Sequence, residues 1–406
     1  MSNTSGKKKR IGILTSGGDC PGLNAVIRGV VKCGQQLGYE TIGFHRGYEG
    51  LVDPVQFITL DDRTTSGILV RGGTILGSTN HGRFVAIKDE STRVELPRDL
   101  LNSVSRTVEQ LNLEAIVCVG GDGSLAVAQQ FHEHGIPVVG VPKTIDNDLS
   151  CTVFSFGFDS AVTCATDALD RLHTTAASHE RIMVLEVMGR HTGWIALHCG
   201  IAGGADAILL PEIPWSFEKV SEKILTRREQ GKLFTTVVVA EGAALPDGQF
   251  VARERRAEDR QIRLGGVGNV VSAELQSRLK IETRCVVLGH LQRGGTPTAF
   301  DRFLATQFGV HAVRLVAAGQ FGQMICYQAP AISDVSIADA IGQLNKVDRF
   351  CSAIQAARGL GVSFGDDVLS EEAFGLPHAK IPPSINVPVV MPELVNAPYL
   401  PTSLVF

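Results

Sequence analysis

Residues 114–141 read EAIVCVGGDGSLAVAQQFHEHGIPVVGV. Two short apolar runs, 114–121 and 136–141, flank a longer stretch with helical spacing that opens near Ser124. The runs are rich in valine and isoleucine and bounded by glycine or proline. They predict buried strands joined by a helix, which makes the strands parallel and the crossover right-handed. The alternation repeats outward. IGILTS (11–16), the helical NAVIRGVVKCGQQLG (24–38) and ETIGFH (40–45) precede it; RIMVLEV (181–187), AILLP (207–211), FTTVVVAEG (234–242) and RCVVLGH (284–290) follow. The expectation is an α/β protein of two doubly wound lobes with mostly parallel sheets, its site in the crevice between them.

A chain of 406 residues is long enough for two such lobes. Residues 1–157 plus about 292–342 form the larger lobe in this reading, and about 158–291 plus 343–365 the smaller. Residues 366–406 hold seven of the 17 prolines, and a run such as IPPSINVPVVMPELVNAPYLP propagates neither a helix nor a central strand, so it reads as a Pro-rich C-terminal extension. Residues 245–271 are rich in charge and glycine and read as an excursion before a helix.

Composition removes several classes. The 38 Lys and Arg against 42 Asp and Glu leave a formal charge of −4, which gives no global attraction for nucleic acid or an anionic membrane. No apolar run approaches the roughly 20 residues of a membrane span. The nine cysteines lack CxxC or zinc-ligand spacing, and the opening MSNTSGKKKR has no apolar stretch of a secretory signal behind its charges. A reduced, cytoplasmic protein is expected. Any phosphate must be held by local groups.

Three strand ends supply such groups. In Thr15–Gly22 (TSGGDCPG) paired glycines let the backbone approach a ligand beside a helix N-terminus. In Gly120–Ser124 (GGDGS) an aspartate among glycines can hold Mg²⁺ against phosphate oxygens, with Ser124 as a candidate helix cap. In Pro142–Asp148 (PKTIDND) two carboxylates flank an amide, a natural place for a base that takes a proton from a hydroxyl. Further along come Arg181, Arg190 in Met188-Gly189-Arg190, Arg284, and His290 and Arg293 in GHLQRGG (289–295). Such cations suit a sugar phosphate, since arginine meets phosphate with a fixed fork of donors. Glu241 could accept from sugar hydroxyls.

In order, SGGDCPGLN, GGDGS, KTIDND, EVMGRHTGW, IAGGAD, VVAEG and RCVVLGHLQRGG resemble the phosphofructokinase family over approximately residues 10 to 345. That resemblance implies phosphorylation of the 1-hydroxyl of fructose 6-phosphate in glycolysis, with Mg²⁺ as cofactor. The larger lobe would bind the donor and the smaller the sugar phosphate. Asp146 would be the base, Thr144 would lie beside the transferring group, and Arg190 would stabilise its charge. Gly18, Arg83, Gly121, Asp122, Gly123, Ser124 and Lys143 would line the donor site, with Asp122 on the metal. Thr144, Ile145, Asp146, Met188, Gly189, Arg190, Glu241, His290, Leu291, Gln292 and Arg293 would line the sugar site. Arg181 and Arg284 would reach the 6-phosphate from an adjacent subunit, implying a homo-oligomer, tetramer or dimer.

The donor is read from two positions. Pyrophosphate-using relatives usually carry aspartate where this chain has Gly123, whereas Lys143 resembles that branch. An aspartate would occupy the nucleotide's space and a lysine can adjust, so ATP is expected, with pyrophosphate or ADP as the alternative. Arg28 is followed one turn later by Lys32 rather than arginine, so the resemblance does not extend to the family's effector site. A silent regulatory subunit that only binds sugar phosphate and nucleotide is the reading from a different class. It gives no reason to keep Asp122, Asp146 and Arg190 together.

Overall fold

The computed structural model describes residues 8–79, 81–86, 94–254 and 263–367. Six strands arise early: β1 (Arg10–Thr15), β2 (Glu40–Phe44), β3 (Phe57–Leu60), β4 (Leu113–Gly120), β5 (Val138–Thr144) and β6 (Phe156–Gly157). Between and after them run α1 (Leu23–Gln36), α2 (Arg98–Leu111), α3 (Asp122–Glu133) and α4 (Phe158–His179). Next come β7 (Ile182–Val187), α5 (Trp194–Ala202), β8 (Ala207–Leu209), α6 (Phe217–Glu229), β9 (Thr235–Ala240), β10 (Ala252–Glu254), β11 (Arg263–Leu264), α7 (Val267–Leu279) and β12 (Thr283–Val287). The remainder is α8 (Ala299–Ala317), β13 (Gln323–Gln328), β14 (Ala331–Ser336), α9 (Ile337–Ala340) and α10 (Ser352–Gly359).

The larger sheet runs β14-β13-β5-β4-β1-β2-β3, with β6 alongside β5. Its centre is parallel, and antiparallel partners flank it at β2–β3 and β13–β14. The smaller sheet, β12-β7-β9-β8, is parallel throughout. Strands buried on both faces need near-continuous apolar runs, which IGILT, AIVCVG and TTVVVA supply. Helices α1 and α8 meet through glycine: a Cβ on Gly29 would lie 2.9 Å from the Thr306 carbonyl oxygen, and one on Gly309 2.5 Å from that of Val26. Only bare backbones pack that closely.

The α/β architecture with mostly parallel sheets is the one expected. Helix α3 begins at Asp122, two residues before the expected start, with Gly121 as its N-cap and no capping side chain. Ser124 therefore sits inside the first turn. The excursion at 245–271 contributes the antiparallel pair β10–β11; its residues 255–262, and the Pro-rich extension from residue 368 on, lie outside the described residues. Asp366, ahead of them, is paired with Arg358 at 2.6 Å. Among the described residues no helix is long and apolar enough to cross a membrane.

Candidate active site

Three neighbouring strands of the larger sheet end in the three motifs: β1 leads to Ser16–Gly18, β4 to Gly121–Asp122, and β5 to Ile145–Asp148. Their register sets Gly120 opposite Pro142, so the aspartate turn and the IDND turn leave the sheet side by side. Lys143 is buried, and its ammonium donates to the Gly18 carbonyl. Burial pushes its pKa down. The expected donor ligand Lys143 thus also pins the glycine loop. A Cβ on Gly18 would lie 2.5 Å from an Arg293 nitrogen, and Arg293 donates to the Asp19 carbonyl at 3.1 Å. A Cβ on Gly123, by contrast, would have nothing within 4 Å. The Ser124 carbonyl accepts from the Tyr48 hydroxyl at 2.7 Å. Arg83 is held by Glu49, with Nε 2.9 Å from its carboxylate.

Among the described residues no three acidic, histidine or cysteine side chains form a metal cluster. Magnesium brought in by phosphates needs only one or two carboxylates, and Asp122 fits that donor set. It stands at the start of α3, where one of its oxygens accepts from the Gly342 N–H at 3.3 Å.

Asp146 is the focus. Its side chain is 5% exposed, Oδ1 is buried with no hydrogen-bond partner, and Oδ2 lies 3.9 Å from the Arg190 Nε. Its N–H donates to the Thr144 hydroxyl at 3.0 Å. Asn147 takes the left-handed conformation (φ 52°) that lets this turn reverse, and its side chain binds Val153 and Ser155. Burial and the neighbouring Asp146 charge push Asp148 up to about 6. Ile145 faces the core instead, so only its backbone is available to a ligand.

The smaller sheet brings its carboxyl ends to the same place. After β7, Met188 receives the Gln292 side-chain oxygen on its N–H at 3.0 Å. Gly189 has φ 140°, and a Cβ there would lie 2.5 Å from the Thr192 carbonyl oxygen. Arg190 follows with φ 51° and its N–H on Glu241 at 3.2 Å. Glu241 leaves β9 beside it, and burial, then the Asp146 charge, push its pKa up to about 7. A Cβ on Gly242 would fall 1.7 Å from the Arg190 carbonyl oxygen, so this position has no room for a side chain. His290 and Leu291 are exposed, Leu291 by 70%, in the 3₁₀ turn Gly289–Arg293. Gln292 is fully buried there, with its amide nitrogen unpartnered.

Arg181 and Arg284 lie elsewhere. They sit at the amino ends of β7 and β12 and share Glu282, at 3.4 and 2.8 Å. Six residues of β7 at ~3.3 Å each put them roughly 20 Å from Met188. They mark the opposite edge of the sheet from the turns that carry Asp146 and Arg190.

Three residues escaped the sequence reading. Buried Glu186 accepts from the N–H groups of Gly266 and Gly268 at 2.8 Å and anchors the start of α7. Glu212 accepts from Gly193 and Val347 at 3.0 Å. Thr192, fully buried, sets its hydroxyl 3.1 Å from the carbonyl oxygens of both Asp146 and Gly189. A lone acid inside or just after an apolar strand was the available signal for the first two. Thr192 gave none.

Strands of both sheets thus bring glycine turns, paired carboxylates and an arginine together at their carboxyl ends, the arrangement in which open α/β folds bind phosphate-bearing ligands. The chain belongs to the phosphofructokinase family, whose model matches residues 10–316. It is 50% identical to an ATP-dependent 6-phosphofructokinase of Chloroflexus aurantiacus over 364 residues, 89% of this chain and 99% of that one. It is 47% identical to a pyrophosphate--fructose 6-phosphate 1-phosphotransferase of Streptomyces coelicolor over 342 residues, 84% of this chain and 96% of that one. The structure of phosphofructokinase from Saccharomyces cerevisiae superimposes with a TM-score of 0.71 at 29% identity, covering 88% of this chain and 48% of that chain.

Proposed function

We propose that the protein is an ATP-dependent 6-phosphofructokinase, moving the terminal phosphoryl group of ATP to the 1-hydroxyl of fructose 6-phosphate in glycolysis. The observation that carries the reading is the buried Asp146 Oδ1 without a partner beside Arg190. An orphaned buried acceptor is costly, and a sugar hydroxyl supplies the missing donor. Asp146 then takes that proton as the oxygen attacks, while Arg190 neutralises charge on the group in transit. The remaining residues align donor and acceptor, which is most of what this reaction asks of a protein. Thr144 lies beside the moving group. Gly18, Gly121, Gly123 and Ser124 line the donor, Lys143 bears on it through the Gly18 loop, and Arg83 borders it. Bound at Asp122, magnesium supplies positive charge against the donor phosphates.

Met188, Gly189, Glu241, His290, Leu291, Gln292 and Arg293 surround the sugar. Arg181 and Arg284 fit a partner copy's 6-phosphate, making the working unit a homo-oligomer, dimer or tetramer. The division into a donor lobe built on the larger sheet and a sugar lobe built on the smaller belongs to this proposal. So does a cytoplasmic location, which suits nine cysteines without CxxC or zinc-ligand spacing.

The test is steady-state turnover of fructose 6-phosphate with Mg²⁺ and ATP, ADP or pyrophosphate in parallel. ATP should give the highest kcat/KM. Binding of sugar phosphate without turnover by any donor would replace this reading with that of a regulatory subunit.

A further inference from the structure

We infer that Thr192 is a positioning residue that holds the base and the charge-stabilising arginine in register; the inference rests on the roles proposed above for Asp146 and Arg190. The Thr192 hydroxyl lies 3.1 Å from the carbonyl oxygen of Asp146, in the turn leaving β5 of the larger sheet. It lies equally far from the carbonyl oxygen of Gly189, in the turn leaving β7 of the smaller sheet. One proton is shared between the two turns that carry the reacting side chains. The Thr192 N–H adds a second bond to Gly189 at 3.0 Å, and the residue is 0% exposed, so no water competes.

The carboxylate itself has little to fix it. One oxygen of Asp146 has no partner and the other is 3.9 Å from the Arg190 Nε. Its place is set by its backbone, and the Thr192 hydroxyl is a bond that ties this backbone to the Arg190 turn. Catalysis by alignment is sensitive to displacements of an ångström or less. Removing the hydroxyl while keeping the shape should therefore lower turnover more than binding.

The experiment compares Thr192→Val, which deletes the hydroxyl and keeps the volume, with Thr192→Ser, which keeps it. In the full chain, with fructose 6-phosphate, ATP and Mg²⁺, the valine variant should lose about tenfold in kcat, the order expected for one lost hydrogen bond plus misalignment. Its equilibrium affinity for fructose 6-phosphate should stay within about twofold, and serine should restore kcat to within about twofold. Wild-type kcat in the valine variant overturns the inference. So does a serine variant as impaired as the valine one, because packing of the methyl group would then be the role. Should valine leave the chain insoluble, Thr192→Ala deletes the same hydroxyl and is read against serine by the same criteria. Asp146→Asn is measured alongside. If it keeps full turnover, the base assignment has failed; if it loses turnover while Thr192→Val keeps wild-type kcat, only the Thr192 inference has.

Discussion

The Arg190 guanidinium stands 3.9 Å from the Asp146 carboxylate although the two side chains are delivered by different sheets. The separation exceeds a hydrogen bond and leaves the carboxylate free to accept from something else. Their exposures differ in the same sense, 50% for the arginine and 5% for the acid. The acid is desolvated, and the arginine is open to a group that arrives.

Asp146→Asn keeps the shape and removes the base. The kcat should fall by roughly 10² to 10⁴ while substrate affinity changes little. Steady-state kinetics with a parallel binding measurement checks this, and near wild-type turnover would refute the assignment.

Glu241 gives a pH dependence. Its folded pKa is raised to about 7 from an ordinary 4.5, so between those values the folded state holds a proton that the unfolded chain has released. Its contribution to stability is full below about 4.5 and is lost as pH rises through about 7. Relative to wild type, Glu241→Gln should gain in Tm from pH 5 to pH 8. Asp146→Asn, which removes the second cause of the shift, should move the midpoint of that dependence to lower pH. A Tm difference that is flat with pH would contradict both.

Gly123→Asp places a carboxylate in the open space where a Cβ would meet nothing within 4 Å. The kcat/KM for ATP should drop more than that for pyrophosphate. Equal losses with the two donors would refute the steric account.

Arg284→Ala and Asp146→Asn test the shared site. Each alone should be weakly active, but mixed oligomers formed by dissociating and reassociating the two proteins should recover part of the activity, because one interface then combines an intact Arg284 with an intact Asp146. Recovery should be absent if both residues serve the same chain's site.

Much of this was legible because burial on both faces forces continuous apolar runs. The strands EAIVCVGG and FTTVVVAEG, and the turns that follow them, could be placed from pattern alone. The start of α3 was misread, since Gly121 does the capping through backbone conformation and no side chain marks it. Arg181 and Arg284 show a different limit. Each opens its apolar run, RIMVLEV or RCVVLGH, so chain direction alone sets it at the amino end of a parallel strand, but no pattern in one chain shows what a residue at that edge meets across a subunit boundary. Thr192 was illegible for a third reason: its partners are carbonyl groups of residues distant in sequence, and backbone acceptors leave no residue-specific trace.

The bare flank of Gly123 also bears on how such chains diverge. Two of the four glycine codons become aspartate codons by a single base change, so the side chain that would close this opening lies within reach of a point mutation from either of them. On the donor role proposed for this position, a lineage could pass between nucleotide and inorganic phosphoryl donors without rebuilding either layer of the scaffold. Ancestry would then be a weaker guide to donor choice than the atom count at one position.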